Sequence, residues 1–147
     1  MNIKRILCPV DFSEFNQAAN EYASMLAKST GARLIYFHCA LPDAAGYGSP
    51  YVHEDPDDVV REAQREIEEI SPTVPGVAAS YVVELGMATD GIIRYANEND
   101  IDLIVMGTHG RTGFRRVLMG SVAEAVVRKA DCPVLAVKSK AAVANES

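Results

Sequence analysis

Short apolar runs alternate with helical segments along almost the whole chain, and this alternation restricts the folds open to it. The apolar runs predict five strands, over residues 3–10, 32–40, 77–85, 101–106 and 133–138. Apolar residues at helical spacing predict helices between them, over about residues 15–30, 54–70, 88–99 and 121–130. Continuously apolar strands that alternate with helices are typical of an open parallel sheet with helices on both faces. In such α/β sheets, ligands bind at the carboxyl ends of the strands, at the topological switch point.

The composition fits one domain of ordinary globular character. The chain has 147 residues, of which 48% are hydrophobic, and we expect a single domain over residues 1–140 with a flexible tail over residues 141–147. A net charge of -6 argues against a nucleic-acid partner. No apolar run reaches the roughly 20 residues that cross a bilayer, and the amino terminus lacks the features of a signal peptide. With Cys8, Cys39 and Cys132 interpreted as buried, reduced thiols, we expect a cytoplasmic protein without a membrane partner.

The glycine-rich stretch after the fourth predicted strand is the first candidate for a ligand site. Gly107 and Gly110 begin it, and Gly120 ends it directly before Ser121 and a predicted helix. Glycine lets a ligand approach the backbone, and a helix amino terminus offers unpaired N–H groups to an anion. The stretch also carries three arginines, Arg111, Arg115 and Arg116. A phosphate-binding loop is one interpretation; the other is a long loop with a capping box formed by Ser121 and Glu124.

This stretch is neither of the two common phosphate-binding loops. It has no GxxxxGK[ST] sequence, and Gly107, Gly110 and Gly113 are too widely spaced for the GxGxxG fingerprint.

A second candidate lies in the turn after the first predicted strand. The Asp11 carboxylate suits sugar hydroxyls as an acceptor and repels phosphate, although either Asp11 or Ser13 could equally be a helix N-cap. If the first and fourth strands are neighbours, this turn and the glycine-rich stretch meet at the switch point.

Taken together, these motifs resemble the universal stress protein family, in particular its ATP-binding branch. The resemblance covers about residues 3–138 and rests on Pro9-Val10-Asp11-x-Ser13, Gly107-x2-Gly110-x9-Gly120-Ser121 and Pro133-Val134-Leu135. It implies a Rossmann-like sheet of the adenine nucleotide alpha hydrolase type, with strand order 3-2-1-4-5. It also implies ATP at the switch point and a homodimer.

The resemblance further implies roles for individual residues. Asp11 would contact the ribose or nearby waters, Pro9 and Val10 would flank the adenosine, and the backbone of Cys39 would recognise adenine. Met106 and Gly107 would lie near the sugar. The residues expected to wrap the phosphates are Gly110, Arg111, Gly120, Ser121 and Val122, and the same nucleotide-binding set includes His109 and Gly113.

The favoured function is an ATP-binding regulatory or stress-response module with little or no turnover. Catalysis would need a positioned base and a metal held by carboxylates, and near the glycine-rich stretch only Asp11 is a carboxylate. Hydrogen bonding or packing is favoured over general-base catalysis for His109. We therefore assign no catalytic residue and no protein-held metal, while Mg²⁺ can enter with the nucleotide, held mostly by its phosphates and water. The alternatives are a slow ATPase or phosphotransferase, and an interaction protein that does not depend on nucleotide.

The fifth predicted strand indicates an assembly surface. In the order 3-2-1-4-5 it is an edge strand, and its apolar residues carry little charge that would prevent pairing with another chain. We expect a homodimer through Val134–Val137. The sequence does not identify a regulatory protein partner.

Overall fold

The structure is a computed structural model that describes residues 2–41, 55–109 and 119–139. Its strands are β1 (Arg5–Pro9), β2 (Arg33–Ala40), β3 (Ala79–Leu85), β4 (Leu103–Gly107) and β5 (Val134–Val137). Its helices are α1 (Asn16–Thr30), α2 (Pro56–Glu68), α3 (Ala88–Glu98) and α4 (Ser121–Lys129). Every predicted strand and helix is present, and no end differs from prediction by more than two residues. The expected tail over residues 141–147 lies outside the described residues.

The strands form one parallel sheet in the order β3-β2-β1-β4-β5, which confirms the order implied by the resemblance. Helices α1 and α2 pack on one face against Ile6 and Cys8, and α3 and α4 pack on the other against Leu7. Because neighbouring residues of a strand point to opposite faces, β1 contributes to both cores. None of the helices within the described ranges is long and apolar enough to cross a membrane.

Strand β1 is the centre of the sheet and is buried on both faces. Ile6, Leu7 and Cys8 have no exposed surface. The connection from β1 leads through α1 to β2 on one side, whereas β4 pairs with β1 on the other. The switch point therefore lies between the carboxyl ends of β1 and β4.

The predicted helix N-caps at the two candidate loops are wrong. The N-cap of α1 is Phe15, not Asp11 or Ser13, and the N-cap of α4 is Gly120, not Ser121; neither helix has a side-chain cap. Asp and Ser residues bond to nearby backbone in turns as readily as at helix starts, so their spacing alone does not locate a cap. Helix α1 ends at Thr30, as predicted, and Gly31 follows it with φ 75° and an N–H that bonds to the Ala27 carbonyl at 2.9 Å.

The cysteines are reduced, as expected, but only one is fully buried. Cys8 lies in the core, and burial raises its pKa to about 12. Cys39 and Cys132 are half-buried, so the expectation that all three are buried is wrong for these two. Both lie at the margin of a core, where an apolar neighbourhood in sequence does not guarantee complete burial.

One carboxylate ties the beginning of β1 to the beginning of β4. Asp102 accepts hydrogen bonds from the N–H groups of Lys4 and Arg5, at 2.8 and 3.0 Å. These two bonds hold the pKa of Asp102 below its usual value, and the bond from Lys4 has the larger effect. The ionised carboxylate therefore stabilises the pairing of the two strands on either side of the switch point.

We predict that Asp102→Asn lowers the free energy of unfolding at neutral pH and that this loss shrinks in acid. A carboxyl with a lowered pKa in the folded state stabilises the fold above its unfolded pKa, and the stabilisation disappears as pH falls through its folded pKa. Urea unfolding from pH 7 down to about pH 2 measures the effect. The control is Asp100→Asn, because Asp100 is 92% exposed and contacts Arg5 only at 3.7 Å. Equal pH dependence in the wild type and in Asp102→Asn would contradict the prediction.

Candidate functional site

A cleft of about 290 Å³ opens at the carboxyl ends of β1 and β4. Its described walls come from four places: the turn after β1, the end of β4, the first turns of α3, and the start of α4. The lining residues are Pro9, Val10, Asp11, Asn16, Ala88, Ile92, Met106, Gly107, Thr108, His109, Gly120, Ser121, Val122 and Ala123. The two candidate segments of the sequence thus meet in one cleft, as the neighbouring positions of β1 and β4 require.

Most of the predicted site residues line this cleft. They are Pro9, Val10, Asp11, Met106, Gly107, His109, Gly120, Ser121 and Val122. Gly110, Arg111 and Gly113 lie outside the described residues, as do Arg115 and Arg116. Cys39 is described but does not belong to the lining.

The turn that carries Asp11 is held by its own hydrogen bonds. The Asp11 N–H donates to Asn16 Oδ1 at 2.9 Å, and the Asp11 carboxylate accepts from the Ser13 N–H at 3.0 Å. Phe12, between them, has φ 63°, in the left-handed region that residues other than glycine rarely adopt. The local bonds and this backbone conformation together set the direction of the Asp11 side chain, which explains why its role is a turn and not a helix cap.

The end of β4 passes close to the start of α1. A Cβ on Gly107 would lie 3.3 Å from the carbonyl oxygen of Phe15, tighter than most real contacts, so glycine suits this position. Thr108 and His109 follow and are both buried, and His109 Nδ1 lies 3.1 Å from the Thr108 hydroxyl oxygen. This contact makes His109 part of the packed wall, in agreement with its interpretation as a hydrogen-bonding or packing residue.

The start of α4 presents backbone N–H groups to the cleft. The Gly120 N–H bonds to the Thr108 carbonyl, and the first intrahelical bond runs from the Glu124 N–H to the Gly120 carbonyl at 3.0 Å. No described residue accepts from the N–H groups of Ser121, Val122 or Ala123, as expected for the first turn of a helix. Because Ser121 does not cap the helix, its hydroxyl is not engaged in a capping bond either. These groups form an anion-binding arrangement at the positive end of the helix dipole.

One wall of the cleft is apolar and was missed by the sequence analysis. Ala88 and Ile92, in the first turns of α3, line the cleft together with Met106 and Ala123. Ile92 lies in the predicted helix over residues 88–99, and it also belongs to the core on that face of the sheet. The topology could have indicated this wall. Helix α3 is the connection that leads to β4, so in the observed sheet order its first turns lie beside the switch point.

Cys39 directs its side chain towards α3. A Cβ on Gly91 would overlap Cys39 Sγ, and the Phe37 ring lies 3.7 Å from the same point. Burial, followed by the nearby Glu84 carboxylate, raises the pKa of Cys39 to about 11. The thiol is therefore neutral at physiological pH, and any role of Cys39 in the cleft falls to its backbone.

Among the described residues at the cleft, few groups could support catalysis or hold a metal. Of the described residues that line it, Asp11 alone is a carboxylate. Within the described part of the chain, no three His, Cys, Asp or Glu side chains come together as metal ligands. The arrangement is one of donors and apolar surface, which suits the binding of an anionic ligand.

The fold and the cleft define an open, doubly wound α/β protein with its ligand site at the switch point. The chain belongs to the universal stress protein family, whose sequence profile matches residues 2–138. Universal stress protein MJ0531 of Methanocaldococcus jannaschii is 32% identical over 144 residues, which cover 92% of this chain and 82% of the relative. Universal stress protein MJ0577 of the same organism is 28% identical over 155 residues, covering 93% and 96%.

Solved structures agree with this assignment. The structure of MJ0577 superposes with a TM-score of 0.81 at 28% identity, over 95% of this chain and 99% of that one. A universal stress protein in complex with cAMP gives a TM-score of 0.73 at 20% identity, over 95% and 100%. The Archaeoglobus fulgidus protein in complex with dAMP gives 0.58 at 23% identity, over 94% and 100%. At these last two identities the similarity establishes the fold alone.

The contact between Gly91 and Cys39 yields a prediction about the wall beside the cleft. We expect Gly91→Ala to destabilise the wild type by about 1–3 kcal/mol, because the new Cβ overlaps Cys39 Sγ. In a Cys39→Ala background the same change should stabilise by up to about 1 kcal/mol, because alanine is the better helix former. Chemical unfolding of all four proteins of this double-mutant cycle measures the coupling. An equal effect of Gly91→Ala in both backgrounds would rule out the contact.

Proposed function

We propose that this protein binds ATP in the switch-point cleft and acts as a regulatory, stress-response module with little or no turnover. The observation that carries the proposal is the meeting of three different surfaces in one cleft. These are the Asp11 carboxylate, the apolar wall of Ala88 and Ile92, and the N–H groups at the start of α4, from which no described residue accepts. A nucleotide has a part that matches each surface: its sugar hydroxyls suit the carboxylate, its flat base suits the apolar wall, and its phosphates suit the N–H groups.

The charges favour one orientation of this ligand. Asp11 repels phosphate and accepts hydrogen bonds, so the ribose belongs beside it. The phosphates belong at the start of α4, where the helix dipole and the N–H groups of Ser121 and Val122 attract anions. The base is left for the apolar wall. The cleft volume of about 290 Å³ stands at the lower end of the range for small-molecule sites, roughly 300–1,000 Å³.

Relatives of the same fold support an adenine nucleotide as the ligand. The two complexes named above hold cAMP and dAMP, which share the adenine and the sugar–phosphate unit. ATP is the particular nucleotide that we propose for this chain, and Mg²⁺ would accompany it on its phosphates.

We favour binding over hydrolysis because the described cleft has no second carboxylate to hold a metal or activate water. A slow ATPase or phosphotransferase remains the second candidate, and an interaction protein independent of nucleotide the third. Chromatography of the small molecules released by denaturing the purified protein separates all three. ATP in near-equimolar amount supports the proposal, and accumulation of ADP on incubation supports a slow ATPase or phosphotransferase. If no nucleotide is found before or after ATP addition, the result supports the interaction protein that does not depend on nucleotide.

Gly120 offers a sharp test of the phosphate contact. It has φ -67° and ψ 162°, a conformation that any residue can adopt, so Gly120→Val adds bulk without backbone strain. We expect this variant to weaken ATP binding by at least about tenfold, since the valine side chain would block the approach of phosphate to the helix start. Isothermal titration of nucleotide-free protein measures the loss.

The matched control is Met87→Val, because Met87 is the N-cap of α3, has an extended backbone and is 61% exposed. It should bind ATP as the wild type does. A folded Gly120→Val protein with wild-type affinity would refute the phosphate site at α4.

We also propose a homodimer formed through β5. Within the described sheet β5 pairs with β4 alone, and Leu135 on β5 is 37% exposed. An exposed apolar edge strand of this kind can pair with a second copy of itself.

Light scattering after size exclusion should give the mass of a dimer for the wild type and of a monomer for Leu135→Lys. The control Met25→Lys replaces an equally apolar side chain that is 49% exposed on α1, and it should leave the dimer intact. A wild-type monomer at micromolar concentration would contradict the proposed assembly.

A further inference from the structure

His38 on β2 holds the turn that carries Asp11 from both sides. Its Nδ1 lies 2.7 Å from the carbonyl oxygen of Val10, and because a carbonyl only accepts, Nδ1 carries the proton and donates it. Its ring packs against the ring of Phe12, with centroids 4.2 Å apart and planes tilted by 37°. Val10 and Phe12 are the residues immediately before and after Asp11. One side chain therefore contacts both neighbours of the carboxylate, including the one with positive φ.

The bond to Val10 also interrupts the pairing of β1 with β2. The N–H of Arg33 points to the β1 side, where it bonds to the Lys4 carbonyl, and the N–H of Leu34 points to the β3 side. In a strand, the N–H and carbonyl groups of successive residues point alternately towards the two neighbouring strands. Cys39 is six residues after Arg33, so its N–H and carbonyl also point to the β1 side. The Val10 N–H bonds to the Phe37 carbonyl at 2.8 Å, so a continued parallel ladder would next join the Cys39 N–H to the Val10 carbonyl.

That next bond is not formed. Among the hydrogen bonds of the described residues, the Val10 carbonyl accepts from His38 Nδ1 and not from the Cys39 N–H. The side chain of His38 thus replaces the backbone of the following residue as the partner of Val10. The last pair of the β1–β2 ladder is Pro9 and Phe37. Cys39 lies beyond this pair, and its N–H and carbonyl face the β1 side.

We propose that His38 is a positioning residue for the nucleotide. The resemblance to the family already assigns adenine recognition to the Cys39 backbone. By occupying the Val10 carbonyl, His38 would leave the Cys39 N–H and carbonyl available for that contact, in which the N6 amino group of adenine donates and a ring nitrogen accepts. By holding Val10 and Phe12, it fixes the Asp11 carboxylate for the ribose hydroxyls. The inference rests on the proposed nucleotide function, but the interruption of the ladder can be tested without any nucleotide.

The first experiment is amide hydrogen exchange of the nucleotide-free wild type. We expect the Cys39 amide to exchange at least about tenfold faster than the Phe37 amide, which lies within the same strand and in the paired part of the ladder. In His38→Phe, which keeps an aromatic ring against Phe12 but has no donor, the Cys39 amide should become protected. Equal protection of Cys39 and Phe37 in the wild type would overturn the proposal, whether or not the protein binds ATP.

The second experiment measures selectivity on folded protein. His38→Phe should bind ATP at least about tenfold more weakly and should lose discrimination against inosine triphosphate, in which an oxygen replaces the N6 amino group. His38→Asn should restore both, because its amide places a donor near the position of Nδ1. A purely structural role would lower stability and leave the ratio of ATP to inosine triphosphate affinity unchanged.

A third ligand, 2′,3′-dideoxyATP, isolates the effect on the turn. The wild type should bind it more weakly than ATP, and this difference should shrink in His38→Phe as Asp11 loses its fixed position. Wild-type affinity and selectivity in folded His38→Phe would overturn the inference. Failure of the wild type to bind any of the three nucleotides would instead refute the proposed function, and the exchange result at Cys39 would still decide whether His38 ends the ladder.

Discussion

The parallel pairing of β1 with β2 on one side and β4 on the other is the constraint on which the site depends. Neither partner is joined to β1 by a tight turn, since parallel strands require a crossover. The chain leaves β1 towards one edge of the sheet and later returns to the other side of the same strand. The two connections that follow β1 and β4 therefore diverge at the carboxyl ends, and the opening between them is the cleft. The complete burial of Ile6, Leu7 and Cys8 stabilises this arrangement, because shifting the strand would expose residues of both cores.

The positions of the strands and helices could be predicted because each strand or helix buries a continuous face, which appears in the sequence as a pattern of apolar residues. The order of the strands does not leave such a pattern; it was implied by the resemblance of the motifs. The N-caps of α1 and α4 were mispredicted because Asp11 and Ser121 belong to residue types that serve in turns and at caps alike. Ala88 and Ile92 were missed because a residue that packs in a core and also borders a cleft has the same periodicity as a residue that only packs. Contacts between distant segments, such as that of His38 with Val10, have no local signal at all.

The polar groups of the described cleft are held in fixed orientations. Its donors are backbone N–H groups at the start of α4, which cannot take up a proton. Its buried histidine, His109, has Nδ1 beside the Thr108 hydroxyl, and Asp11 uses a carboxylate oxygen to accept from the Ser13 N–H. Groups whose hydrogen bonds fix their orientation suit recognition, because they meet a ligand without reorganising. If the proposed regulatory function is right, the output of the module would be the difference between its bound and its empty state.

Several local costs of the described fold occur around this one cleft. Phe12 has positive φ, the hydroxyl of Ser13 is buried without a hydrogen-bond partner, and the first turn of α4 has N–H groups that no described residue accepts from. The ladder between β1 and β2 also stops one bond early, at Cys39. Each feature lowers the stability of the empty protein, and elsewhere in the sheet parallel pairing satisfies such backbone groups. A ligand that bonds to the helix start and to the Cys39 backbone would offset part of these costs. Its binding free energy would then also stabilise the folded chain, so nucleotide occupancy and the rigidity of this end of the sheet would be coupled.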